Sequence, residues 1–331
     1  MKIAITTNTT SAGGAEKQRI LLANELTAVG HEVVLVVLQE HGSLQDLIAP
    51  AVKVELIGFK GVVSEYVDVV LSGTTNTELM FAFLTKSRRR AGRWVVAVHN
   101  PVSRNAPHLK RVSRGLVRLA NARIALTDAH RDALSKYWGL NAEFVIPNAS
   151  MSAGQRRATV TREKASERIG YLGRLDIKHK GLDRLLAAMT QPEASSLTLD
   201  VAGTGPDEKN IQEQIDALGL GNRVALRGFM NASEFLNEVS GLVLLSRWEA
   251  QPMVLIEASE AGVPVLMSLE VSPDRGVDAD NASEVARRLC DLAAGRISTD
   301  LHRVREPAAM AADYYTVFAS VTSSMNRRRR R

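Results

Sequence analysis

Ser246-Arg-Trp-Glu-Ala-Gln-Pro-Met-Val-Leu-Ile-Glu-Ala-Ser-Glu-Ala-Gly-Val-Pro-Val265 is the stretch that decides the architecture. The apolar run before it, Gly241–Leu245, has the length of a buried strand. A helical pattern then begins near Pro252, where a missing N–H costs nothing in the first turn. Gly262 and Pro264 stop that helix, and Val263–Met267 opens the next β-run. Strand, loop, helix and strand in that order form the repeating unit of a parallel sheet with crossover helices.

The same alternation runs outward in both directions. Upstream, strands read at Arg168–Leu172, Ser196–Ala202 and Arg223–Leu226, with helices at Leu182–Met189, Asp207–Leu218 and Ala232–Val239. A first series opens at the N-terminus with Lys2–Thr6, a helix over Ala15–Val29, and Glu32–Val37. It continues through Lys53–Ile57, Val67–Leu71, Trp94–Val98, Arg123–Leu126 and Glu143–Ile146. Polar residues take over from Asn148 to about Glu167, which reads as a linker. The expected fold is α/β with two Rossmann-like, doubly wound domains, residues 1–150 and 151–306. Ligands then belong beyond the carboxyl ends of the strands, in a cleft between the domains. Tyr314, Phe318, Val321 and Met325 make a helical stripe, so a last helix over about 307–326 is expected to pack on the first domain. A basic tail, 327–331, follows.

Composition narrows the class. The chain has 331 residues, 45% hydrophobic and 24% charged, the balance of a folded globular protein. No run approaches the roughly 20 apolar residues of a membrane span, and the start lacks a secretory pattern. The single cysteine, Cys290, excludes an internal disulfide or thiolate cluster. A cytoplasmic protein, peripheral on the inner face of the plasma membrane, is expected. The net charge of +6 is unevenly placed: eleven Lys or Arg and no acid lie between Lys86 and Arg123, and the chain ends in Arg327 to Arg331. Pro107 to Asn121 carries Leu109, Val112, Leu116 and Leu119 at helical spacing, with Lys110, Arg111, Arg114 and Arg118 among them. A basic amphipathic helix of this kind suits an anionic membrane; a packed helix with a basic outer face is the alternative. Nucleic acid is not the expected polyanion.

The chemistry gathers in the second domain. Glu249 precedes the helix start, Glu257 lies about two turns along it, and the N–H groups of Met253, Val254 and Leu255 offer an anion site. Gly173-Arg174-Leu-Asp-Ile-Lys178-His179-Lys180-Gly181 follows a strand and brings two cations, Arg174 and Lys180, to one turn. Together they can clamp a diphosphate. Gly203 and Gly205 in Val201-Ala-Gly-Thr-Gly-Pro206, and Phe229-Met230 after Arg227-Gly228, mark strand-end turns that serve either fold or ligand.

These segments resemble the retaining glycosyltransferases of family 4, with the GT-B fold of the glycosyl transferases group 1, and the resemblance covers nearly the whole chain. It implies that Glu257 binds the ribose, Glu249 faces the transferred sugar, and Arg174 and Lys180 bind the pyrophosphate. Phe229 and Met230 would meet the nucleobase through their backbone. In the first domain, Gly13 and Gly14 of Ala12-Gly-Gly-Ala-Glu16 would face the donor, and His99 would hydrogen-bond its sugar. Two departures stand out: Ala250 replaces a glycine, and the usual glycine-glycine-acid loop after Val265 is missing. Asp278-Ala-Asp280 spells a metal-binding pattern, but it precedes a helix start and reads as capping acids, so no metal is expected.

The resemblance implies a retaining, metal-independent hexosyltransferase without a cofactor, using a nucleotide diphosphate sugar, a UDP-sugar foremost. The acceptor would be a lipid-linked oligosaccharide or lipopolysaccharide core, within cell-surface polysaccharide biosynthesis. A nucleotide-sugar epimerase on the same fold is the second reading, and a non-catalytic binder of anionic lipid or nucleic acid the third. A nicotinamide enzyme is disfavoured because no G-x-G-x-x-G follows the first strand.

Overall fold

The computed structural model describes residues 1–11, 13–58, 61–103, 109–151, 168–298 and 305–328, with side chains described as far as residue 323. Most of the linker, Ala12 and Arg329 to Arg331 therefore lie outside the described residues. The chain divides into two compact units, Met1–Gly154 with Arg305–Arg331, and Gln155–Val304.

The first unit holds a seven-stranded sheet: β1 (Lys2–Thr9), β2 (Glu32–Glu40), β3 (Lys53–Leu56), β4 (Val67–Ser72), β5 (Ala91–Ala97), β6 (Ala122–Ala125) and β7 (Phe144–Val145). Their order is β3-β2-β1-β4-β5-β6-β7 and every pair is parallel. The central strands are buried on both faces, which explains their unbroken β-branched runs. Helix Gly14–Ala28 and the last helix, Pro307–Arg328, pack together on one face. Met310, Tyr314, Val317 and Phe318 join Ile5, Leu22, Leu35 and Leu71 in that core. Trp94, Phe81 and Trp138 fill the opposite face.

The second unit holds a five-stranded parallel sheet: β8 (Arg168–Leu172), β9 (Thr198–Ala202), β10 (Val224–Gly228), β11 (Leu242–Leu244) and β12 (Val265–Met267), in the order β10-β9-β8-β11-β12. Both sheets reverse winding direction beside their first strand, between β1 and β4 and between β8 and β11. These reversals are the switch points where such sheets bind ligands. The architecture is α/β, two doubly wound parallel-sheet units, as the alternating pattern predicts.

Candidate functional site

The loops after β8 and β11 are held together by a set of contacts that bring distant residues to one place. Asp176 caps a single helical turn, Ile177–Lys180; its carboxylate accepts from the His179 amide at 3.0 Å and its carbonyl from Lys180 at 2.7 Å. Gly181 ends that turn at φ +69°, and a Cβ there would stand 2.2 Å from the Leu245 carbonyl. Both conformation and space therefore require glycine. Across the gap, Arg247 donates to both Asp183 oxygens at 3.0 and 2.7 Å and to the Ile177 carbonyl at 3.0 Å. The His179 ring stacks on Trp248 with centroids 5.2 Å apart, and its Nε2 lies 2.8 Å from the Trp248 carbonyl. Burial, then the Lys180 charge, lower the His179 pKa, favouring the neutral ring.

The outcome is a direct bond between Lys180 Nζ and Glu249 Oε1 at 2.6 Å. Arg174 is exposed and forms no ion pair among the described residues, and its carbonyl accepts from the buried Tyr171 hydroxyl at 2.8 Å. The two cations expected to act as one clamp thus stand in different states: Lys180 is engaged with a carboxylate and Arg174 is open to solvent.

Gly203 and Gly205 hold the neighbouring loop close. A Cβ on Gly203 (φ +141°) would meet the Gly173 carbonyl at 1.8 Å, and one on Gly205 the Leu175 carbonyl at 2.3 Å. Leu175 donates to the Thr204 carbonyl at 3.0 Å, and Ile177 to Asp207 at 2.8 Å. These glycines position the Arg174 loop by close packing. Phe229 is 69% exposed, an unusual state for so large an apolar side chain, whereas Met230 is half-buried against the apolar cluster of Phe235 and Leu255.

The helix of the opening motif runs Met253–Glu260, with Pro252 as its N-cap. The expectation of three free amides is corrected here. Leu255 N donates to the Pro252 carbonyl at 3.2 Å because the first turn closes tightly, leaving Met253 and Val254. Glu257 is half-buried on this helix. After β12 the chain makes a compact turn, Ser268 pairing with Val277, and Glu270 on that turn receives Arg184 Nη2 at 2.9 Å. The buried Arg184 also donates to Asp280 at 2.8 Å and to the Leu245 carbonyl at 3.3 Å. Asp280 is thus tied to a guanidinium, and the helix cap expected from the acids is instead Asn281, which accepts from Glu284 N at 3.1 Å. No cluster of three or more metal-ligating side chains occurs among the described residues.

In the first unit, Gly13 is the N-cap of helix Gly14–Ala28. A Cβ on Gly13 would stand 2.1 Å from Glu16 Oε2. The anionic position at this helix start is already filled by the chain's own carboxylate. The Gly13-Gly14 loop therefore suits a sugar hydroxyl better than a phosphate. His99 follows β5, and its pKa is pushed down to about 3 by burial first, then by the Arg19 and His130 charges. Its imidazole is neutral, able to donate from one nitrogen and accept at the other. His130 fixes the loop beside it: Nδ1 accepts from Leu126 N at 3.3 Å and Nε2 lies 3.0 Å from the Asn100 carbonyl.

Sequence reading missed the buried pair Arg19 and Glu78, whose atoms lie 2.5 Å apart. Glu78 also accepts from the Thr6 hydroxyl, the Gly73 amide and the Thr75 amide and hydroxyl. Its signal was present: Thr75-Asn-Thr-Glu78 is a capping-box motif, and Arg19 interrupts an otherwise apolar helix face. His179, Arg184 and Arg247 carried no pattern of their own and emerge only from tertiary contact.

The basic helix spans Arg111–Arg118. Its expected apolar row does not form one face: Leu109 and Leu116 pack inward, while Val112 and Leu119 are 74% and 56% exposed. Arg114 is half-buried, with its Nε shielded from solvent. Lys110, Arg111 and Arg118 are exposed with Val112 and Leu119. Among the described residues no helix is long and apolar enough to cross a membrane.

Comparison with known proteins agrees with this geometry. Residues 155–282 match the family described as glycosyl transferases group 1, which takes in the whole site of the second unit. The chain is 30% identical over 177 residues to alpha-D-kanosaminyltransferase of Streptomyces kanamyceticus, covering 48% of this chain and 45% of the relative. The chain spans less than half the length of the curated relatives it matches. Among solved structures, HepE of Anabaena, crystallised with UDP and glucose, superposes with a TM-score of 0.73 at 18% identity, covering 99% and 98% of the two chains. The lipopolysaccharide outer core galactosyltransferase WaaB gives 0.65 at 15% identity, covering 97% and 100%. The fold is GT-B.

Proposed function

We propose that this protein is a retaining glycosyltransferase of family 4 that moves a hexosyl group from a nucleotide diphosphate sugar, a UDP-sugar foremost, to a membrane-associated glycan or lipid-linked acceptor. The observation that carries the reading is the Lys180–Glu249 contact, which ties the loop after β8, where the exposed Arg174 also lies, to the loop that leads into the helix Met253–Glu260. Cations and helix-start amides are the groups a departing diphosphate requires.

Arg174 offers a planar fork to the diphosphate and Lys180 a point charge held in place by Glu249. As the bond from the anomeric carbon to the phosphate oxygen breaks, a bond to the acceptor oxygen forms on the same face. The acceptor proton passes to the leaving phosphate. Glu257 binds ribose hydroxyls, Phe229 and Met230 border the base, and His99 with Gly13 and Gly14 holds the sugar. Because no step here calls on a metal, the reaction is proposed to be metal-independent. The likeness to the lipopolysaccharide outer core galactosyltransferase WaaB favours a place in polysaccharide or lipopolysaccharide assembly, and with it a proposed location at the inner face of the membrane. The exposed Lys110, Arg111, Arg118, Val112 and Leu119 would meet anionic lipid there, each basic residue adding about 1 kcal/mol before screening.

Calorimetric titration with UDP-, GDP- and ADP-sugars tests the reading. Saturable binding of one donor that is weakened in Glu257→Ala is expected; no affinity for any of them overturns it.

A further inference from the structure

We infer that the carboxyl edge of the first unit's sheet binds an uncharged, hydroxyl-bearing sugar of the acceptor through the carboxamide NH2 groups of Asn8 and Asn100, an inference that rests on the glycosyltransferase reading above. The strands β1, β4 and β5 are consecutive in the sheet, and the winding reverses between β1 and β4. Asn8 stands at the end of β1, Thr74 to Thr77 follow β4, and Asn100 follows β5. A ligand at this switch point meets all three segments.

The side chains there share one chemistry. Asn8 Oδ1 accepts from the Thr77 hydroxyl and lies 3.2 Å from the Thr75 hydroxyl. Asn100 Oδ1 accepts from the Thr74 hydroxyl. Both carboxamide oxygens are therefore occupied, and neither NH2 group is engaged by any described residue. Asn8 is half-buried and Asn100 exposed, so both donors are within reach of a ligand. The loops bearing them are fixed from below. Glu78 binds Gly73 and Thr75, and His130 binds the Asn100 carbonyl.

Charge decides what kind of oxygen these donors take. The guanidinium nearest in the core, Arg19, is spent on Glu78, which is wholly buried. His99 and His130 are neutral at physiological pH, with values near 3 and 4 set chiefly by burial. The charged side chain folded over Gly13 after β1 is an acid, Glu16. Of these charged groups, Arg19 is already paired with Glu78, and Glu16 would repel an anion. Hydroxyl and ether oxygens of a neutral sugar accept from carboxamides without that penalty.

The test measures binding to nucleotide-loaded protein, using octyl glucoside and octyl galactoside as neutral probes and glucuronic acid and glucose 6-phosphate as anionic ones. UDP is titrated separately. A neutral probe is expected to bind more tightly than either anionic one. The Asn8→Ala, Asn100→Ala double variant is expected to lose about thirtyfold of that affinity, the worth of two ordinary hydrogen bonds, with UDP binding unchanged. Asn8→Asp with Asn100→Asp, which keeps the oxygens that accept from threonine, is expected to lose as much and guards against a folding artefact. Preference for an anionic probe, no saccharide binding at all, or affinity in both double variants equal to that of the parent protein overturns the inference. Loss of UDP binding in the parent protein instead overturns the donor reading and leaves the saccharide result to stand by itself.

Discussion

Lys180 Nζ lies 2.6 Å from Glu249 Oε1, although 69 positions separate the two residues in the chain. The pairing joins the turn after β8 to the loop after β11, so a change at either residue alters both. Lys180→Ala is expected to reduce the transfer rate by about a hundredfold or more, the usual cost of removing one group that stabilises developing charge. Nucleotide affinity should change far less. Single-turnover kinetics with saturating donor checks this, and an unchanged rate removes Lys180 from the chemistry.

Glu257 sits half-buried on the helix Met253–Glu260 and is proposed to hold ribose. Glu257→Ala is expected to weaken nucleotide diphosphate binding by about tenfold or more, the loss of charge-assisted hydrogen bonds. Equal dissociation constants for the variant and the parent would move the ribose elsewhere.

Gly203 and Gly219 make a controlled pair. Both have positive φ, but a Cβ on Gly203 would meet a carbonyl at 1.8 Å, while one on Gly219 would meet nothing within 4 Å. Gly219→Ala is expected to cost about 1–2 kcal/mol of stability from backbone conformation alone. Gly203→Ala should cost more and should also displace the Arg174 loop. Chemical denaturation together with donor titration separates the two, since only Gly203→Ala should harm both.

His130 is buried, and its pKa falls to about 4 against an unfolded value near 6.5, burial being the main cause. The unfolded state then binds a proton that the folded state refuses, so stability declines as pH drops from about 6.5 towards 4. At pH 5 the penalty is on the order of 2 kcal/mol. His130→Gln is expected to lose stability at pH 7, where a buried contact is removed, yet to show a shallower decline on the acid side. Parallel acid limbs in denaturant-unfolding curves would exclude His130 as the source.

Lys110, Arg111 and Arg118 are exposed, whereas Arg114 has its Nε buried. Replacing the first three with serine should release the protein from vesicles rich in anionic lipid. Arg114→Ser should leave sedimentation with vesicles unchanged and lower the melting temperature. Retention of the triple variant on vesicles would reject the docking face.

Strand positions and most helices of the second unit were legible because buried parallel strands need continuous apolar runs and longer crossover helices carry their own periodicity, whereas the strand order and the helix Asn76–Ser87 emerge only from the structure. Val33–Leu38 and Leu242–Leu244 illustrate this, buried on both faces with no polar alternation to confuse the reading. Arg174, Lys180 and Glu249 could be singled out in the sequence because loop residues after strands escape the demands of packing, and the structure brings Lys180 and Glu249 into contact. Leu255 was misjudged because closure of a first turn depends on a carbonyl, which all residues share. The basic helix was misjudged in part because eight residues permit more than one buried face, and Val117, flanked by Ser113 and Ala120, took the place expected of Val112. Arg184 was invisible for another reason: its partners, Glu270 and Asp280, lie more than eighty positions away.

The first unit draws its core from both extremes of the chain. Met310, Tyr314 and Phe318 complete an apolar face whose strands are translated long before them. During synthesis, the early sheet must wait with that face bare while the Gln155–Val304 unit emerges and collapses independently. Ribosome-bound intermediates halted before Pro307 should therefore present a sticky surface to chaperones, and loss of the closing helix should harm yield before it harms turnover.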